Sequence, residues 1–589
     1  MNSKIRAIIL SIVGVAAVGG LATAMATCFG GKVSSPSEQP ETSLNSEEEE
    51  TPSGAVKEEQ LSAESWADSI MATLSPRKRV AQLFVPRWDI NNGTVPAALM
   101  RKQIDEGIGG FLLGKGPLNA YVDIINKAQS MAQVPLLVTL DGEWGLSMRI
   151  PEAPRFPKNI ALGAIQDSKL LEEYGREVAR ECKLTGIQVD FAPVLDVNSN
   201  PSNPVIGYRS FGEDPKRVAE LGAAFCKGME QGGVMSVGKH FPGHGDTSVD
   251  SHKALPTVDH SKQTLETVDF VPFVAAKNAG MSGVMVGHLR VPALDKSGTP
   301  SSLSKIITTD VLQKQLGFDG LIFTDALTMK GAANANENNH VSAFRAGADV
   351  LLGTADLAAD IQAMMNAIKA GTITQAEVDR RCRKLLIYKY KLGLVTPAVI
   401  KKEGLAAKLN SPECKALLDR LAKASVTVVR NDAHLLPLEN IDSRKIAVVS
   451  LGATPSNEFA ATCRKYAAVE TMSINNAAEI GKAVAEAKKA DVVVVGVFKN
   501  DAAARSAFAR LVKECRNVVP VFFINPFKMS GFGAVDKLPT LVVAYDDTKE
   551  LFSAGAQAVF GGIDVTGRFP VNIKGVAKIG DGVDLKKKD

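Results

Sequence analysis

Short apolar runs recur eight times between Val80 and Leu352, and amphipathic stretches fill the gaps between them. The runs are 80–85, 108–113, 135–140, 187–194, 234–237, 284–286, 321–323 and 350–352. Brief, continuously apolar segments of this kind read as strands buried on both faces. The intervening stretches 170–184, 217–231 and 267–277 read as helices. Eight strand–helix units over about 300 residues predict a (β/α)8 TIM-type barrel, with a doubly wound open sheet as the structural alternative.

Reactive residues follow the runs. Asp141 closes the third, Asp196 the fourth, Lys239-His240 the fifth, His288 the sixth and Asp325 the seventh. A barrel gathers the C-terminal ends of its strands at one mouth, whereas an open sheet spreads them along a line. Each such residue alone is an ordinary turn residue. Together they predict a site. The segment 109–116, G-G-F-L-L-G-K-G, approaches a phosphate-binding loop but has glycine where Ser/Thr belongs, and it reads as a strand flanked by glycines.

The densest reactive stretch is 236–256, which holds His240, His244 and His252 with Asp246 and Asp250. Three readings compete. His240 and His244 share a face for a metal only on a helix, and Pro242-Gly243 between them opposes one. A structural reading makes His244 a packing and hydrogen-bonding residue. The third is acid/base chemistry at Asp250-Ser251-His252, where a carboxylate fixes an imidazole's tautomer.

At 589 residues the chain is too long for one core. A second α/β pattern has strands at 426–429, 445–449, 491–497, 519–524 and 540–543 and a helix at 475–490, with no G-x-G-x-x-G after any strand. The expected division is an export signal at 1–28, a disordered acidic Ser/Pro tether at 29–62 and the catalytic barrel at 63–400. A connecting segment at 401–423 leads to a smaller α/β sandwich at 424–582 and a solvated charged tail at 583–589. Lys4 and Arg6 precede an apolar run, Ala24-Met25-Ala26 fits a cleavage site, and Cys28 follows. These features predict export to a periplasmic, cell-surface or membrane-anchored location, with a lipid anchor through Cys28 as one mode of attachment. Net charge is only +4, which gives no sign of a nucleic-acid partner. Seven scattered cysteines without a C-x-x-C pair argue against a zinc ribbon or disulfide framework.

The segments G-F-D-G-L-I-F-T-D-A-L-T-M, K-H-F-P-G-H-G-D-T, D-S-H and Y-R-S-F-G, with G-R-F-P-V near the end, resemble glycoside hydrolase family 3 in its β-N-acetylglucosaminidase branch. The resemblance covers roughly residues 70–580. It implies a retaining exo-glycosidase acting on terminal β-linked N-acetylglucosamine, with no cofactor and no metal, and the export signal suits a glycan such as a peptidoglycan fragment. Asp325 matches the nucleophile and His252 the acid/base, oriented by Asp250. Asp141, Arg149, Arg209, Lys239 and His240 match substrate contacts. Within the commoner D-Q-E-G-G pattern, Gly142 and Trp144 depart, and Trp144 is expected to pack rather than stack on sugar. Histidine suits the role because it adds no second negative charge beside the nucleophile. The alternatives are a β-glucosidase, a phosphate-using phosphorylase, a zinc hydrolase using His240, His244 and Asp246, and a sugar-binding protein on an inactive scaffold.

Overall fold

The structure, a computed structural model, describes residues 62–250, 254–332, 337–533 and 535–588. The export signal, the tether as far as residue 61, and Ser251-His252 lie outside the described residues. No described helix is long and apolar enough to cross a membrane.

The first barrel strand is broken by Pro86 into β1 (Phe84–Val85) and β2 (Arg87–Trp88). It is followed by β3 (Gly110–Leu113), β4 (Leu137–Leu140), β5 (Val189–Asp190), β6 (Met235–Phe241), β7 (Gly283–Val286), β8 (Leu321–Thr324) and β9 (Leu351–Leu352). Strands β2 to β8 are parallel neighbours in chain order. β9 pairs in parallel with β1, and Val350 bridges Phe323, so the ring closes. All eight expected runs are barrel strands. The first is shorter than its apolar run because Pro76–Ala81 is a helix, capped by Ser75, whose side chain accepts the Lys78 N–H. A serine followed by proline in the first turn is a strong helix start, and it overrides the run.

Alternation along β8 shows how the barrel is filled. Leu321 and Phe323 join Val85, Leu137, Val189 and Met285 in the inner cluster, whereas Ile322 belongs to the core between strands and helices. That layering aims the residue after each strand at the mouth.

The second body is a sheet of β10 (Thr427–Asn431), β11 (Ile446–Leu451), β12 (Val469–Ile474), β13 (Val492–Val497), β14 (Val518–Phe522) and β15 (Thr540–Val543). Its order is β10-β15-β14-β13-β11-β12, parallel except for β10. Val493 and Val495 face one apolar cluster, and Val492 and Val494 face the other. Both faces are covered by helices, which makes the body an α/β sandwich. Strand β12 escapes the apolar-run criterion because V-E-T-M-S-I is interrupted by Glu470, Thr471 and Ser473 and is mostly half-buried.

Two further expectations change. The connecting segment contains a helix, Pro412–Ser425, whose Cys414, Leu417 and Leu421 enter the barrel core while Ala422 enters the sandwich core. The charged tail is not simply solvated: Leu585 exchanges both backbone hydrogen bonds with Val565 at 2.9 and 3.1 Å, and the Lys588 ammonium donates to the Leu438 carbonyl at 2.7 Å. The G-R-F-P-V segment stitches the two bodies. The Arg568 N–H donates to the Ala164 carbonyl at 3.0 Å, and the Glu213 N–H donates to the Pro570 carbonyl at 3.1 Å.

Candidate active site

Asp325 is the first residue beyond β8, and its N–H donates to the Val286 carbonyl at 2.9 Å. Its Oδ1 accepts the Ala326 N–H at 2.7 Å. Burial pushes this carboxyl up, but His288, His240, the Ala326 N–H and Lys239 outweigh burial and hold it below the ordinary range. The result is an ionised carboxylate at the barrel mouth, the state a nucleophile requires. His288 is fixed beside it, with Nδ1 2.7 Å from Ser302 Oγ and Nε2 3.0 Å from the Ala326 carbonyl.

Lys239, on β6, is 2% exposed and sits between two carboxylates. Its Nζ is 2.9 Å from Asp141 Oδ1 and 2.9 Å from Glu143 Oε1. Arg149 takes the other oxygen of Asp141 at 3.0 Å, and Arg209 grips Glu143 with two hydrogen bonds, at 2.7 and 2.8 Å. Burial opposes ionisation of Lys239, but the two carboxylates overcome it and raise the ammonium's pKa. Burial also opposes ionisation of Glu143, and Arg209 with Lys239 drives that carboxyl far down. Five charges thus form one chain that presents fixed donors and acceptors to a hydroxyl-rich ligand.

The backbone under this chain explains Gly142. Its N–H donates to Asp190 Oδ1 at 2.7 Å, and a Cβ there would stand 2.9 Å from Asp190 Oδ2. Glycine leaves room for that approach, and a larger residue would push the Asp190 carboxylate aside. Burial pushes the Asp190 carboxyl up to about 7. Trp144 is half-buried, its ring 6.3 Å from that of Tyr208.

His240 and His244 take separate partners. Nδ1 of His240 meets Asp196 Oδ2 at 2.8 Å, while Asp196 Oδ1 accepts the His240 and His244 backbone N–H groups at 3.1 and 2.7 Å. His244 Nδ1 lies 2.7 Å from Thr247 Oγ1, and burial lowers its imidazole to about 4, so it stays neutral. Asp246 turns instead to His260, 3.5 Å away. His244 is therefore a structural histidine.

His260 lies between Asp246 and Asp269. Its Nδ1 is 2.7 Å from Asp269 Oδ2, and Gly243 makes room for Asp269, whose Oδ1 a Cβ at 243 would meet at 2.6 Å. The hydrogen bond to Asp269 raises the imidazole above its ordinary 6.5, against burial and with help from Asp246 and Asp259. The folded chain therefore holds this proton more tightly than the unfolded chain. The stabilisation is complete below pH 6.5 and is lost as pH rises through the raised value. Asp269 is raised as well, by burial, so its titration runs in the same sense. His260→Gln is expected to lower the calorimetric Tm by about 1–2 °C at pH 6 and by less at pH 9. A gap that widens with pH would contradict the assignment.

The structure thus brings Asp141, Arg149, Arg209, Lys239, His240 and Asp325 to the C-terminal end of one barrel. Asp250 lies on the adjoining loop, where its carbonyl accepts the Ala254 N–H at 3.1 Å, and His252 lies outside the described residues. Sequence reasoning missed Glu143 as a site residue, along with the anchoring roles of Asp196 and His288 and the whole of the His260–Asp269 pair. Glu143 was within reach: it is an acidic residue two positions beyond Asp141 in the same D-G-E segment.

The profile described as "Glycosyl hydrolase family 3 N terminal domain" matches residues 77–387. A protein named beta-hexosaminidase A from Pseudoalteromonas piscicida is 35% identical over 382 residues, which are 59% of this chain and 63% of that one. A beta-N-acetylglucosaminidase/beta-glucosidase from Cellulomonas fimi is 28% identical over 408 residues, covering 67% of this chain and 72% of its own. Among solved structures, a family 3 beta-N-acetylglucosaminidase from Paenibacillus sp. strain FPU-7 superposes with a TM-score of 0.73 at 26% identity. That alignment covers 86% of this chain and all of the other.

Proposed function

The chain belongs to glycosyl hydrolase family 3, and from that membership we propose that it is an exported retaining exo-glycosidase that removes terminal β-linked N-acetylglucosamine. The observation that carries the reading is the ionised Asp325 at the mouth, beside a fixed network of sugar-binding charges. The name of the Pseudoalteromonas protein supports a hexosaminidase, and that of the Paenibacillus protein supports the N-acetyl specificity. A peptidoglycan fragment is a fitting substrate for an exported enzyme of this kind.

In the proposed cycle the Asp325 carboxylate attacks the anomeric carbon as the glycosidic bond breaks, and His252, oriented by Asp250, protonates the leaving oxygen. The glycosyl-Asp325 ester is then opened by water, whose proton returns to His252. Asp141, Arg149, Lys239 and His240 orient the sugar's hydroxyl and acetamido groups, and Glu143 and Arg209 hold that set in place.

The reading is tested with nitrophenyl β-N-acetylglucosaminide and nitrophenyl β-glucoside, each with and without phosphate. The acetamido sugar is expected to turn over faster, with free N-acetylglucosamine as product in both buffers. Faster turnover of the glucoside, or a sugar phosphate as product, would replace the reading. His252→Ala is expected to slow release of a sugar leaving group by roughly 10²–10⁴-fold. It should slow release of a nitrophenolate, which needs no proton, much less. Equal losses on both would remove His252 from the acid role.

A further inference from the structure

Backbone pairing between β4 and β5 ends where the Phe191 N–H donates to the Leu140 carbonyl at 2.8 Å. The next residues, Asp141, Gly142 and Glu143, lie beyond the strand and carry the two carboxylates that hold Lys239. Asp190 extends the tie with its side chain, Oδ1 accepting the Gly142 N–H at 2.7 Å. Gly142 in turn closes the turn that follows, its carbonyl accepting the Gly145 N–H at 2.8 Å. The placement of Asp141 and Glu143 about Lys239, 2.9 Å on each side, therefore hangs on one carboxyl group of the neighbouring strand.

The surroundings of that carboxyl make its charge matter. Val189 and Phe191 on either side of it belong to the inner cluster of the barrel, so Asp190 points outward, against the helix Lys169–Leu184. It is fully buried, and its Oδ2 has no hydrogen-bond partner among the described residues. Tyr174 and Cys182 face it from the helix, and burial keeps both of them neutral. The Tyr174 hydroxyl is itself buried without a partner. Asp141 and Glu143 act on it from the segment it holds, and Lys239 acts on it from β6. A neutral carboxyl offers Oδ1 to Gly142 without disturbing these charges. An ionised one repels Asp141 and Glu143 and draws on the ammonium they share. Burial raises this carboxyl to about 7, which brings the change of charge into the neutral range.

We infer that Asp190 is a positioning residue for sugar binding: in its neutral form it holds Asp141 and Glu143 about Lys239 through the Gly142 N–H, and its ionisation loosens that set. The inference rests on the proposed glycosidase activity. It adds a control of affinity by pH, exerted by a group that never touches the sugar.

The test measures KM and kcat for nitrophenyl β-N-acetylglucosaminide in the wild type, Asp190→Asn and Asp190→Ala, from pH 5.5 to pH 8.5, a range that spans about 7. Asparagine keeps the acceptor for Gly142 and cannot ionise. The ratio of the wild-type KM to the Asp190→Asn KM is expected to rise from near one at the acidic end to about fivefold at the basic end. Taking the ratio cancels titrations that both proteins share, that of His252 included. Asp190→Ala removes the acceptor and is expected to raise KM about tenfold at every pH, with a smaller change in kcat. A KM ratio that stays flat with pH, or an Asp190→Ala KM equal to that of the wild type, would overturn the inference. Should Asp190→Ala fail to fold, the asparagine ratio decides alone. If the wild type shows no turnover, the glycosidase reading fails, and the calorimetric Kd for N-acetylglucosamine replaces KM in the same comparison. A Kd ratio that rises with pH upholds the positioning role, and a flat ratio, or no binding at all, rejects it.

Discussion

Asp325→Asn is expected to lower kcat on nitrophenyl β-N-acetylglucosaminide by roughly 10⁴-fold while leaving the fold and KM nearly unchanged. The substitution is close to isosteric, and the asparagine Oδ1 still accepts the Ala326 N–H that Asp325 Oδ1 accepts at 2.7 Å. What disappears is the negative charge that His288, His240 and Lys239 hold in place, and with it the electron pair that bonds to the anomeric carbon. The sugar contacts proposed for Asp141, Arg149 and Lys239 are untouched, so binding is expected to persist. Steady-state kinetics and far-UV circular dichroism on the same samples check both halves. Retention of a tenth or more of the wild-type kcat would remove Asp325 from the nucleophile's role.

Lys239→Met carries the largest expected effect on stability. The ammonium is 2% exposed and bonds two carboxylates, of which Glu143 is itself 1% exposed. Removing one partner of a buried ionic cluster leaves uncompensated charge in a poorly solvated site, at a cost of about 3–5 kcal/mol. Arg149 and Arg209 remain on Asp141 and Glu143, which places this case toward the lower end of that range. Urea denaturation of the single variant measures the loss. The double variant Lys239→Met/Glu143→Gln should be less stable still, because it also leaves the Arg209 guanidinium without its carboxylate. Activity is expected to vanish in both, since Asp325 loses a supporting cation and the sugar loses a donor. A single variant as stable as the wild type would mean that the carboxylates are hydrated rather than buried against Lys239.

How far the sequence discloses this molecule follows from what each pattern measures. Barrel strands such as 321–323 are legible because burial on both faces forces a continuous apolar run, and the turn after each strand forces a polar residue to the mouth. Strand β12 is not legible, because an edge strand with half-buried residues has no such run. The helix Pro412–Ser425 lay in a stretch read as a connector, although Ser411-Pro412 is the same start signal that shortens the first apolar run. In the site, single residues were readable from their positions after strands, but their pairings were not. Arg209 and Lys239 present themselves in sequence as free cations for a substrate, yet both are engaged by Glu143, a contact set only by the closing of the barrel. The His260–Asp269 pair joins residues from a loop and a helix with no shared motif, so only the fold reveals it.

The central claim is that Asp325 becomes covalently joined to the sugar. Its most direct measurement is intact and peptide mass spectrometry after a rapid quench of the enzyme with a fluorinated N-acetylglucosaminyl fluoride, which slows hydrolysis of the ester. The account predicts one added sugar per chain, located on the peptide containing Asp325 and absent from Asp325→Asn. A sugar attached to any other side chain, or full turnover to an α-configured product with no adduct, would contradict it.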